Sequence, residues 1–192
     1  MATPSPSAEA SLASAPSEQR NGDAFDVLQL EPRFDLDLQA LAERHRALSL
    51  ALHPDRFAGR PAAERRLSLE RSMQVNSAYR ALRDPIERAR VLAERLGLSL
   101  TAEIAHDPEF LERTMEQREA LSEAVLAGDK ARIGEFARLA REEEEALLLR
   151  LNDLFAAAVD STPSVTKLLD LLSRLRFARR LVESSAAELE AP

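Results

Sequence analysis

Few residues in this chain have the types and spacing that chemistry needs. There is no Cys and there are only 3 His. Thiolate nucleophiles, disulfides and Cys-ligated zinc or iron–sulfur clusters are therefore excluded together. Three scattered His do not make a metal site. His106 stands in a connector without metal-ligating neighbours, and His45 falls on the apolar stripe of a helix, where packing explains it. What remains is His53-Pro54-Asp55, an imidazole and a carboxylate held at a fixed separation by proline. No nucleophile or third group stands nearby, so the tripeptide reads as a recognition tip rather than a catalytic centre. A plainer reading is local loop chemistry. His favours the dipole at a helix C-terminus, Pro stops the helix, and Asp satisfies backbone donors.

A second pattern lies further on. Glu109, Glu112, Glu116, Glu119 and Glu123 recur at alternating steps of three and four, which puts five carboxylates on one helical face. Like charges so spaced cost about 0.2–0.5 kcal/mol each in an isolated helix, and only Arg113 and Arg118 on that helix can offset them. With Leu111 and Met115 beside it, such a stripe suits a basic, partly apolar partner. Phe177 falls off the apolar stripe of its helix, so it is either exposed or fills a gap between helices. The run Glu142 to Glu145 circles its helix and reads as solvated.

The elements that must position these groups are helical. Ala, Leu, Glu and Arg dominate, with 5 Gly and 4% aromatic residues, and no segment sustains a period of two. Residues 1–23, rich in Ala, Ser and Pro, cannot bury enough apolar area to order themselves and are expected to form a disordered tail. Asp26 to Leu30 reads as one or two helical turns. Leu38, Leu41, His45, Leu48 and Leu52 mark a helix that Asp35 or Asp37 caps and Pro54 ends. Pro61 suits the start of the next, which carries Val75, Tyr79 and Leu82 to Asp84-Pro85. So short a link predicts an antiparallel hairpin with the tripeptide at its tip. A short helix follows from Ile86 to Leu96, stopped at Gly97. Three long helices come next, starting near Pro108, near Asp129 and after Pro163, and their short links predict an antiparallel bundle.

The net charge of −7 argues against a nucleic-acid binder. Its weight lies in residues 86–192, whereas residues 24–85 are close to neutral. No apolar run approaches the ~18 residues needed to span a bilayer. Residues 1–20 lack the apolar centre of a signal peptide, so a cytoplasmic location is expected.

Two sets of residues carry a family resemblance. His53-Pro54-Asp55-Arg56-Phe57 and Val75-Asn76-Ser77-Ala78-Tyr79-Arg80-Ala81-Leu82-Arg83-Asp84-Pro85, with Phe25 to Leu30 before them, resemble a J-domain. Phe110-Leu111-Glu112-Arg113-Thr114-Met115-Glu116-Gln117-Arg118-Glu119-Ala120-Leu121 and Leu175-Arg176-Phe177-Ala178-Arg179-Arg180-Leu181 resemble the cargo-binding part of the HscB type, the co-chaperones of iron–sulfur cluster assembly. The resemblance implies an L-shaped all-α protein. Its parts would be a tail at 1–23, a J-domain at 24–85, a connecting helix and linker at 86–99, and a three-helix bundle at 100–192.

It also implies function. His53, Pro54 and Asp55, with Arg44, Arg46 and Arg56, would engage the ATPase domain of an HscA/DnaK-type chaperone. Leu111, Met115, Glu116, Glu119, Glu123 and Phe177 would hold the cluster scaffold protein IscU. The chain would be an adaptor, not an enzyme, with no cofactor, metal, nucleic acid or membrane of its own. The alternative is a J-protein serving a general DnaK-type chaperone with other clients. The chain departs from the family at several places. Leu50 and Leu52 stand where many J-domains have a basic residue and a Tyr, which thins the basic surface and suggests a specialised chaperone or weaker binding. Glu112 stands where the family often has an apolar residue. The Cys-containing zinc module of some eukaryotic members is absent, which favours the bacterial form.

Overall fold

The computed structural model describes residues 22–100, 107–159 and 163–190. The expected tail, apart from its last two residues, and residues 101–106 of the connector, His106 among them, lie outside them. Among the described residues there are seven α-helices and no strand. They are α1 (Ala24–Leu28), α2 (Leu38–Ala51), α3 (Ala62–Arg83), α4 (Pro85–Arg95), α5 (Pro108–Leu126), α6 (Lys130–Ala156) and α7 (Val165–Glu190).

Local signals set most of the boundaries. Asp23 caps α1 and exchanges hydrogen bonds with Asp26 in a capping box. Asp37, not Asp35, caps α2. Asp84 caps α4, its Oδ1 accepting from Ile86 N at 2.8 Å and Glu87 N at 3.1 Å. Pro61 stands one place before α3 rather than inside it. Gly97 and Gly128 follow α4 and α5 with φ of 75° and 66°, the left-handed geometry that glycine adopts without strain. Gln29 ends α1 with φ 55°, a position that carries no glycine to announce it.

The packing is less modular than the sequence suggests. The long helices α6 and α7 form an antiparallel hairpin. The end of α6 and the start of α7 share one core with the N-terminal unit. Phe25, Leu28, Leu41 and Leu82 lie in it with Leu151, Leu168, Leu172 and Leu175. Helix α4, expected as a connector, contributes Ile86, Ala89, Leu92 and Ala93 to the same core. Phe34 stacks on Phe155 with ring centroids 5.6 Å apart. Arg88, only 8% exposed, lies over the Phe34 ring at 5.0 Å and donates from Nη1 to Leu82 O at 2.7 Å. Burial pulls its pKa below the ordinary arginine value, against the opposing fields of Asp84 and Asp35. A smaller core of Leu121, Ala124, Ile133, Ala140 and Leu181 holds α5 against the far half of the hairpin.

Candidate functional site

Two exposed regions stand on this frame. The first is the end of the α2–α3 hairpin. The apolar stripe of α2 ends at Leu52, and Pro54 starts a single 3₁₀ turn, Pro54–Phe57, with His53 as its cap. Buried Ser68 of α3 donates from Oγ to Leu52 O at 3.0 Å. This satisfies a carbonyl that the helix end leaves open and fastens the corner across the hairpin. Above that tie the tip is solvent-facing, with side chains of His53 55% and Asp55 89% exposed. His53 Nδ1 accepts from Asp55 N at 3.4 Å and lies 3.5 Å from Asp55 Oδ2. The tip thus presents an imidazole and a carboxylate side by side, both open to solvent.

The expected basic residues divide. Arg46 and Arg56 are exposed beside the tip. Arg44 is not left for a partner. It donates from Nε to Leu28 O at 3.0 Å and from its guanidinium to Gln29 Oε1, fastening α1 to α2. The resemblance implies a recognition role for that arginine, and a long-range backbone acceptor leaves no mark in local sequence. His45 is packed, as expected. It stacks on Tyr79 with centroids 4.1 Å apart, and Nε2 lies 2.8 Å from Asn76 Oδ1.

The structure also leaves three large apolar side chains of the hairpin open to solvent. The His45–Asn76 and Leu52–Ser68 contacts fix the hairpin register, which sets Leu50 level with Leu69 and Met73. All three are more than half exposed, at 67%, 54% and 64%. Their signal was present: Leu69 and Met73 fall off the α3 stripe of Val75, Ala78 and Leu82.

The second region is α5 with the facing side of α7. Phe110 anchors the start of α5, edge-to-face with Phe177 at 6.1 Å and under Arg174 at 4.5 Å. Both oxygens of Asp170 hold Arg174 Nε at 3.0 Å. At the far end of α5, Leu121 and Ala124 are buried. With ~100° per residue, this leaves Leu111 and Met115 side by side on the outer surface, 45% and 63% exposed. Glu112, Glu116, Glu119 and Glu123 lie on the adjoining quarter of the helix, all exposed. None of the four forms an ion pair with another described residue.

Phe177 resolves as a gap filler with one open side. It is half-buried against Phe110 and lines a groove of about 430 Å³ between α5 and α7 with Arg118, Leu121, Val125 and Arg180. The groove lies further along α5 than Leu111 and Met115, from Arg118 to Val125, and the carboxylates occupy the quarter of the helix next to that pair. The surface thus has an apolar centre and an acidic margin. Among the described residues, no group of three or more His, Asp or Glu could hold a metal ion. No described helix is long and apolar enough to cross a membrane.

Comparisons with known proteins agree on one family. Residues 106–185 match the family described as "HSCB C-terminal oligomerisation domain". The Co-chaperone protein HscB homolog of Bordetella petrii is 42% identical over 142 residues, covering 70% of this chain and 84% of the relative. The homolog from Burkholderia multivorans is 33% identical over 168 residues, covering 86% and 93%. Among solved structures, chaperone HscB from Vibrio cholerae superposes with a TM-score of 0.74 at 28% identity, covering 86% of this chain and 96% of that one. The human co-chaperone protein HscB gives 0.73 at 23% identity, covering 88% and 83%, a likeness of fold alone.

Proposed function

This chain belongs to the HscB family of co-chaperones, and from that premise we propose that it delivers the iron–sulfur scaffold IscU to an HscA/DnaK-type chaperone and stimulates that chaperone's ATPase. The J-domain, α1 to α3, addresses the chaperone through His53, Pro54 and Asp55, with exposed Arg46 and Arg56 and the exposed Leu50, Leu69 and Met73 of the same hairpin. Arg44 acts indirectly, by holding α1 against α2. The bundle carries the scaffold on Leu111, Met115 and Phe177, with Glu116, Glu119 and Glu123 steering a basic partner to the apolar centre.

The observation that carries this reading is that the fold uses neither surface. Leu50, Leu69 and Met73 on the α2–α3 hairpin and Leu111, Met115 and Leu126 on α5 are open to solvent. The arrangement needs no catalytic group of its own. Its work is to bring two partners together, so that binding at one end raises the effective concentration of what is bound at the other.

The test is retention of purified IscU by the immobilised chain. The parent chain is expected to retain it, and a Leu111→Ala/Met115→Ala/Phe177→Ala chain to lose it while still stimulating the chaperone. Equal retention by both would remove the proposed cargo site.

A further inference from the structure

Helix α7 is gripped from two sides by residues two places apart. Phe177 faces α5 and the cargo groove. Arg179, ~200° further round the helix, faces the corner between α3 and α4. There its Nη1 donates to Asp84 Oδ2 at 2.8 Å, and its Nε lies 3.6 Å from Glu144 Oε1 of α6. The other oxygen of Asp84 is already taken by the cap of α4. One carboxylate therefore starts α4 and holds α7, and one guanidinium joins α3–α4, α6 and α7. The paired side chains of Arg179 and Asp84 are 28% and 35% exposed.

We propose that Arg179 is the positioning residue that sets the angle between the chaperone-facing tip and the cargo-bearing face of α5. The apolar core joining the two units is strong but non-directional, so small rotations of α7 across it change little buried area. The Phe34–Phe155 stack tolerates sliding in the same way. A planar guanidinium with acceptors on two different helices does not. It is a directional contact at this junction, on the helix that also presents Phe177. Burial opposes the charges of both partners. The hydrogen bond and mutual attraction outweigh it, lowering the Asp84 pKa and raising that of Arg179.

The functional half of this inference rests on the reading of the chain as an IscU-delivering co-chaperone; the geometric half does not. If the angle is wrong, each partner still binds by itself, but the two no longer meet in register. The gain from having both present is then lost.

The experiment has two arms. The chain lacks Cys, so Ala58→Cys and Ala131→Cys, both exposed, accept spin labels at tip and bundle without background. The parent is expected to show one narrow distance distribution. Arg179→Gln and Asp84→Asn should both broaden it, and Arg179→Lys, which keeps the charge but loses the planar fork, should restore little of it. Asn keeps the helix cap, so Asp84→Asn loses the ion pair without losing the start of α4.

In the second arm, unlabelled Arg179→Gln and Asp84→Asn chains should bind IscU and stimulate the chaperone alone as the parent does. The extra stimulation that IscU adds should fall by about fivefold or more, the lower end of ordinary coupling between sites. Distributions that superimpose on the parent's, or IscU-added stimulation that survives in both variants, would overturn the proposal. If the parent itself fails to retain IscU, the delivery reading fails instead. The distance arm still decides whether Arg179 holds the angle.

Discussion

Replacing Leu111 and Met115 with Ala separates binding from folding. Their exposure of 45% and 63% means that the fold uses only part of each side chain. Full burial of a Leu or Met side chain contributes about 1.5–3 kcal/mol. Covering the open fractions with a partner therefore contributes about 1 kcal/mol for Leu111 and about 1.5 kcal/mol for Met115 on the same scale. Together that is about 2.5 kcal/mol, or ~70-fold in Kd. The cost to stability should stay near the ~0.5 kcal/mol of surface substitutions, because neither side chain fills a core position. Titration calorimetry of the double variant against IscU, with a urea melt of the same sample, reads both quantities. A fall in affinity of tens-fold with an unchanged melt is expected. An unchanged affinity would refute the reasoning, since the partner would not be covering these side chains. A large loss of stability would show that they are core residues after all.

Other outcomes follow from the same geometry. Phe34→Ala removes the surface shared by Phe155 and Arg88 and leaves a buried guanidinium without its ring, so urea denaturation should show a loss of about 3–5 kcal/mol. Asp84 titrates lower in the folded chain than its ordinary 3.8. Its contribution is thus complete above that value and drains away as pH falls through the folded pKa below it. Asp84→Asn should therefore lower the urea midpoint at pH 7, and the gap to the parent should close as the pH is taken below 3.8. Changing Glu116, Glu119 and Glu123 to Gln should slow IscU association and flatten its dependence on salt while changing dissociation little, as stopped-flow traces at two ionic strengths would show.

Much of this architecture could be read from local pattern. The apolar periods of α3 and α7 survive into the structure, and that of α2 does so from Leu41 on, whereas Leu38 is 51% exposed. Pro54 ends one helix, and Gly97 and Gly128 stand just past two others. The tip and the α5 stripe were legible because each consists of residues close in sequence on one element. What local pattern could not supply was the partner of each face. The stripe of α4 suits a connector as well as a core helix, and only the packed fold shows Leu92 and Ala93 buried with residues of α1 and α7. Arg44, Arg88 and Arg179 are alike as letters. One fastens α1 to α2, one is buried against Phe34, and one ties α7 to Asp84, because each reaches an acceptor or ring far away along the chain. Ser68 escaped notice for the same reason, since its bond to Leu52 O closes a loop that no short motif marks. Phe177 could not be settled from its own helix, because the ring that decides its place, Phe110, lies on another.

The central claim is that the exposed corner at His53 addresses an ATP-driven chaperone on behalf of cargo held by α5. The most direct measurement is steady-state ATP turnover by a DnaK-type chaperone with this chain alone, with IscU alone and with both. The account predicts stimulation by the chain, more than additive stimulation when IscU is present, and loss of both with His53→Gln while IscU retention is kept. Turnover that ignores the chain, or that responds equally to the parent and His53→Gln, would contradict it.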